Sequence, residues 1–316
     1  MFGFKAKVFS AALTGVALIA PAANAEFINI ATGGTSGVYY PLGVALAEIY
    51  GEKIEGARTQ VQATKASVEN LNLLGQKKAE LVFALGDSVK AGWEGNAEAG
   101  FPKPLENLRA LAAIYPNYIQ IVAEKDAGIA TITDLKGKTI SVGAPASGTE
   151  LNAREIFKAA GMSYDDMGKV EYLPYSESAE LIKNRQLQST LQSSGLGVAF
   201  IKDLASTHDI NLVAIPAEVV ETIGAPYVPA VIPANTYNGQ TEDVATAAVG
   251  NVLVTRAELD DETAYQMTKL LFENLDRLGA AHAAAKNITL ENAISGLSIP
   301  LHPGAERYYR EVGVIK

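Results

Sequence analysis

Ala31-Thr32-Gly33-Gly34-Thr35-Ser36-Gly37-Val38-Tyr39-Tyr40-Pro41-Leu42-Gly43 follows a short apolar run, Phe27 to Ile30, and leads into an apolar-periodic stretch, Val44 to Tyr50. That order reads as strand, glycine-hydroxyl loop, helix. Such a loop leaves bare backbone N–H groups and hydroxyl donors at a helix N-terminus. The partial positive charge there attracts carboxylates and phosphates. The stretch matches neither GxGxxG nor GxxxxGK[ST], so it gives nucleotide binding no support.

More than a hundred residues later a second loop repeats the construction. Ala144-Pro145-Ala146-Ser147-Gly148-Thr149-Glu150 follows a short strand around Ile140 and opens a helix from about Leu151 to Ala160, closed by Gly161. Ser147 and Glu150 have the spacing of a capping box. Capping alone would account for Ser147. Two such loops facing one hollow would instead bring their donors to a single small acid.

The rest of the chain supports an α/β architecture. Gly56–Gln62 and Glu80–Leu85 read as strands around a helix from Val68 to Lys78, with Gly86-Asp87-Ser88 as a turn. Strand, helix, strand at this spacing argues for parallel pairing with crossover helices. Two apolar runs, Leu108–Tyr115 and Ile119–Ala123, are broken by Pro116-Asn117. This break is a candidate crossing between lobes, and Ala247–Thr255 a candidate return. Val170–Leu173 and Gly197–Ile201 read as short strands, Tyr227–Pro233 as extended chain, and Asp260 to Leu278 as one long helix.

Composition narrows the function. Lys5 and Lys7, the apolar run Val8–Ala20 and Ala23-Asn24-Ala25 make a cleavable leader, residues 1–25, which predicts export to a periplasm. Removing Lys5 and Lys7 subtracts 2 from the formal charge of −9 and gives −11. Nucleic-acid partners are thereby disfavoured. With no cysteine, disulfides, thiolate catalysis and Cys-ligated metals are excluded. His208, His282 and His302 stand apart without metal-ligand spacing. There is no Gly-x-Ser-x-Gly elbow and no acid/base pair. The expectation is therefore no enzyme, no cofactor and no metal.

Candidate ligand contacts follow from the loops. In the first they are Gly34, Thr35, Ser36 and Tyr39, with glycines permitting close approach and tyrosine giving an apolar wall with a polar tip. Thr64, Lys65 and Ser67 lie after a parallel strand, where ligands gather, although a lone lysine is usually a solvated one. Ser147, Gly148 and Thr149 come from the second loop. Asp87 could accept an ammonium group or close an Asx-turn. Ser193, in the polar cluster Gln192-Ser193-Ser194, is a weaker candidate.

Several motifs together resemble the TAXI family, the solute-binding proteins of one branch of TRAP transporters. They are the first loop, Ser67-Val-Glu-Asn-Leu71, Asp134-Leu-Lys-Gly-Lys138, Val142-Gly-Ala-Pro-Ala-Ser-Gly-Thr149, Val228-Pro-Ala-Val-Ile-Pro233, Leu271-Phe-Glu-Asn274 and Ile299-Pro-Leu-His-Pro-Gly-Ala305. The resemblance implies a two-lobed, type II-like periplasmic binding protein of the Venus-flytrap kind, with mixed sheets and a hinge. Its lobes would be 26–118 with 241–316, and 119–240. It also implies a small anionic ligand, an amino acid such as glutamate or a C4–C5 dicarboxylate such as 2-oxoglutarate, and a TRAP membrane permease as partner. Lys65-Ala66 replaces the family's usual glycine pair, and Leu85-Gly86-Asp87 its usual Gln-Ser-Asp; a pocket lysine would favour a more strongly anionic ligand. A binding module of a sensory system, or an enzyme acting on a small carboxylate, are the alternatives.

Overall fold

The computed structural model describes residues 27–316, so the leader lies outside the described residues. In chain order the elements are β1 (Phe27–Ala31), α1 (Tyr39–Lys53), β2 (Arg58–Gln62), α2 (Ser67–Gly75), β3 (Leu81–Leu85), α3 (Gly86–Glu94) and β4 (Leu108–Glu124). There follow β5 (Thr139–Ser141), α4 (Gly148–Ala159), β6 (Lys169–Glu171), α5 (Tyr175–Lys183), β7 (Ser189–Ser194), α6 (Ala199–Thr207), β8 (Ile210–Val213), α7 (Ala217–Ile223) and β9 (Tyr227–Ile232). The chain returns through β10 (Val244–Arg256) and ends in α8 (Asp261–Glu273), α9 (Leu275–Ala281) and α10 (Pro303–Glu311).

Strand alternation explains the layers. β1 pairs in parallel with β2 and β3, as the helical crossovers require. Ile28, Ile30, Leu81, Phe83 and Leu253 point to one core with α1 and α8, while Val82, Ala84, Val252 and Val254 point to another under α2. Burial on both faces is why Leu81–Leu85 is apolar throughout. Beyond Tyr118 the sheet continues through β7, β5 and β6. There Ile119, Ile121 and Val249 pack with α4 and α7, and Val122 with α5 and α6. The result is a two-lobed α/β molecule. Each half borrows one side chain from the other: Leu85 joins the second half's core and Leu151 the first's.

The chain passes between the halves twice, in β4 and β10, which run antiparallel to each other. Pro116 does not break β4 into two strands. It lies opposite Gly250, beside a register slip between Gly250 and Val252, where a missing N–H is tolerated. Three other expectations change. Gly86-Asp87-Ser88 begins α3 instead of forming a free turn. Gly197–Ile201 is no strand: Val198, Ile201, Leu204 and Ala205 have helical spacing and bury one face of α6. The long C-terminal helix divides at Asn274, whose side chain donates to the Leu270 carbonyl at 2.7 Å.

Asn70, fully buried on α2, ties the strand ends that carry the loops. Its Nδ2 lies within hydrogen-bond reach of the carbonyls of Ala31 (3.3 Å), Thr32 (2.6 Å) and Phe83 (2.8 Å), and its Oδ1 accepts from the Thr64 hydroxyl at 2.6 Å. Removing the amide strands several buried groups at once. Asn70→Ala is expected to lower stability by about 2–3 kcal/mol, read as a drop in urea midpoint at unchanged slope.

Candidate functional site

A cavity of about 140 Å³ lies between the two halves, room for roughly ten waters. One side is made by Gly33, Gly34 and Ser36 to Val38 of the first loop with Thr64, Lys65, Ala66 and Leu85; β4 adds Tyr115 and Asn117; the opposite side is Ala144, Ser147, Thr149, Pro174, Ser193 and Ser194. Four helices begin in this space. Tyr39, Ser67, Gly148 and Tyr175 all line it and are the first residues of α1, α2, α4 and α5. Each helix leaves unpaired N–H groups in its first turn, so positive partial charge converges from several directions.

The polar side chains divide into those already engaged and those left free. Ser67 Oγ accepts from the Leu85 N–H at 3.1 Å and Ser147 Oγ from the Glu150 N–H at 3.2 Å. Each uses a lone pair there and keeps its proton to donate. Thr64 is engaged differently: it bonds Asn70 and accepts from the Ala66 N–H at 2.9 Å. Tyr175 donates to the Ser193 carbonyl at 2.7 Å, so the 2.5 Å contact with Thr149 requires the threonine hydroxyl to donate to the tyrosine oxygen.

The floor is a buried amide network. Asn251, at the register slip, accepts from the Tyr39 hydroxyl and donates to the Tyr115 carbonyl (2.7 Å) and Asn117 Oδ1 (2.8 Å). Asn117 in turn donates to the Ser193 carbonyl at 3.0 Å. The Tyr115 hydroxyl and Ser193 Oγ have no partner, although the residues are only 1% and 4% exposed. Burial raises the Tyr39, Tyr115 and Tyr175 hydroxyls above the ordinary tyrosine range, so all three stay protonated. Tyr39 stacks on Phe83 and Tyr175 packs on Phe200, with ring centroids 5.1 and 5.0 Å apart, which fixes both walls.

Of the residues expected from sequence, Gly34, Ser36, Tyr39, Thr64, Lys65, Ser67, Ser147, Gly148, Thr149 and Ser193 line this one cavity. Two do not. Thr35 is exposed at the tip of a turn closed by the Gly37 N–H on the Gly34 carbonyl at 3.0 Å. Asp87 faces away, accepting from Asn152 Nδ2 at 2.7 Å and the Tyr227 hydroxyl at 2.5 Å. It is therefore no free ammonium acceptor. Tyr115, Asn117 and Tyr175 line the cavity without having been singled out. Tyr175 opens a helix after a strand, the same signal that marked the other loops. Ala66 holds a φ of 74° beside Lys65, where the resembled family's glycine would be unstrained. The histidines are structural: His302 caps α10 and His282 caps the following turn. Among the described residues no carboxylate or histidine cluster could hold a metal.

Fold and cleft define an architecture: two α/β lobes with a pocket between them. The chain belongs to the NMT1-like family, whose sequence model matches residues 30–313. Solved structures with the same fold include PhnD1 from Prochlorococcus marinus in complex with methylphosphonate, at 11% identity and TM-score 0.60, covering 92% of this chain and 100% of that one. The binding protein component of an ABC phosphonate transporter from Pseudomonas aeruginosa gives 12% and 0.54, over 84% and 80%. The periplasmic aliphatic sulphonate binding protein SsuA from Escherichia coli gives 12% and 0.50, over 92% and 94%. No helix among the described residues is long and apolar enough to cross a membrane.

The two halves meet at Gly148. A Cβ there would sit 2.6 Å from Ser67 Oγ and 2.7 Å from Leu85 Cδ1, and the Glu69 N–H donates to the Ala146 carbonyl alongside at 3.2 Å. Gly148→Ala is expected to keep the far-UV dichroism and increase the radius of gyration in small-angle scattering, because the lobes can no longer close; an unchanged radius would contradict this. Asp87 makes a second contact across the halves. Burial pushes its carboxyl up from the usual range to about 6, with the Tyr227 hydrogen bond opposing the rise. The folded state then holds its proton more tightly than the unfolded chain. Its contribution is fully present below about pH 4 and is lost as pH rises through about 6, a swing of up to about 3 kcal/mol. Thermal scans of Asp87→Asn between pH 4 and 7 should lack that decline.

Proposed function

We propose that the protein captures a small organic acid outside the cytoplasm and delivers it to a membrane permease. One observation carries the reading: four helix starts and the unspent hydroxyl protons of Ser67 and Ser147 meet in one cleft. An anion there receives several charge-assisted bonds, each of about 1.5–3 kcal/mol. Three or four near the top of that range reach the roughly 8 kcal/mol that corresponds to about micromolar affinity, before the cost of closure. The ligand contacts on this reading are Gly34, Ser36, Tyr39, Lys65, Ser67, Ser147, Gly148 and Ser193, joined by Tyr115. The two lobes join in β4 and β10, on which they hinge. A ligand touching both favours the closed form by its extra affinity for that form.

The motif resemblance favours a C4–C5 dicarboxylate, 2-oxoglutarate or glutamate, and a TRAP permease. The neighbours that carry methylphosphonate or serve aliphatic sulphonate and phosphonate uptake favour a second reading, a phosphonate or sulfonate handed to an ABC permease. Helix N-termini accept either head group. Calorimetry with 2-oxoglutarate, succinate, glutamate, methylphosphonate and ethanesulfonate separates the two. Ser36→Ala combined with Ser147→Ala should weaken whichever acid binds at least tenfold while the fold persists; unchanged affinity would remove these hydroxyls from the site.

A further inference from the structure

The cavity's charge is one-sided. Among the described residues no carboxylate lines it, and Lys65 is the one charged residue that does. The acidic groups nearest the helix starts are occupied elsewhere. Glu150, buried on α4, forms a salt bridge with Arg154 at 2.6 Å and accepts from the Tyr164 hydroxyl at 2.9 Å. Glu69 accepts from the Lys65 N–H at 2.7 Å, and Asp87 is held by Asn152 and Tyr227. Glu177, in the first turn of α5, is exposed and does not line the cavity. The carbonyl of Ser193 already accepts two hydrogen bonds, from Asn117 and Tyr175.

We infer that the site selects acids without an amino group over their amino-bearing counterparts of the same size, with the Tyr115 hydroxyl and Ser193 Oγ as the innermost contacts. An α-ammonium carried into this space would lose its hydration and meet helix N-termini and a lysine, with no carboxylate to pair it. An oxo or hydroxyl group needs no counter-ion, and two lining residues, Tyr115 and Ser193, keep hydroxyls with no partner among the described residues. The tyrosine walls do not reverse this, because Tyr39 and Tyr175 each have one face covered by a phenylalanine and their open sides share the space with the helix starts.

This rests on the acid-capture reading above, and matched pairs test it separately from that reading. Calorimetry on the mature chain at pH 7.5 compares 2-oxoglutarate with L-glutamate, succinate with L-aspartate, ethanesulfonate with taurine, and methylphosphonate with aminomethylphosphonate. In every pair that binds, the member without the amine is expected to be at least tenfold tighter. Tyr115→Phe and Ser193→Ala should each narrow that ratio for the pair containing 2-oxoglutarate if it binds, and Ser194→Asp should reverse the preference in any pair that binds. An amine-bearing acid that binds as tightly as its partner, or more tightly, overturns the inference and leaves acid capture standing. Failure of all eight compounds to bind overturns both.

Discussion

The side chain of Asn251 organises the floor on which everything else in the cleft is built. It pairs with Leu85 of β3 but sits where β10 slips register against β4, and its amide reaches across to that strand. It receives the Tyr39 hydroxyl from α1 and donates to the backbone and side chain of the crossing strand. An unsatisfied amide here would cost more than the net worth of any one of these bonds, so the three contacts are mutually required. The network holds Tyr115 with its hydroxyl unpartnered, in a molecule where nearly every other buried polar group has a partner.

The proposed capture of an acid by an acidic protein is not a contradiction. The formal charge of −9 is spread over exposed carboxylates, many of them in pairs such as Glu52–Arg277 and Glu262–Arg307. At physiological salt their field decays within about 8 Å. Inside the cleft the determining charges are those of oriented peptide dipoles, fixed before any ligand arrives and desolvated only slightly more when it does.

Much of the cleft was legible because it is built from local rules. Strand, small-residue loop and helix recur, and each recurrence ends at the cavity: Gly33 to Tyr39, Thr64 to Ser67, Ala144 to Thr149. What was not legible depends on partners distant in sequence. Nothing local tells that Asp87 will be claimed by Asn152 and Tyr227, or that Thr64 will be spent on Asn70. β7 escaped the search for strands because Ser189-Thr-Leu-Gln-Ser-Ser is polar, yet every residue in it is buried. Ser189 Oγ donates to the Thr139 carbonyl of β5, Gln192 Nε2 donates to Thr190 within the strand, and Ser193 and Ser194 line the cavity. Thr35 looked equivalent to Ser36, and only the closing of the turn puts one on the outside and the other on the lining.

Two adjacent antiparallel strands are the sole covalent passage between the halves. Such a pair bends readily out of its own plane and resists shear along its length, because sliding would have to break its ladder. Rotation near Gly250, at the base of the cleft, therefore acts as the short arm of a lever whose long arm ends where Gly148 meets Ser67. A few degrees of flexing at the floor become several times that displacement, in linear terms, at the rim. In the proposed capture cycle the rim moves while the tyrosine and asparagine side chains beneath it stay in place, so the lining surface keeps its geometry.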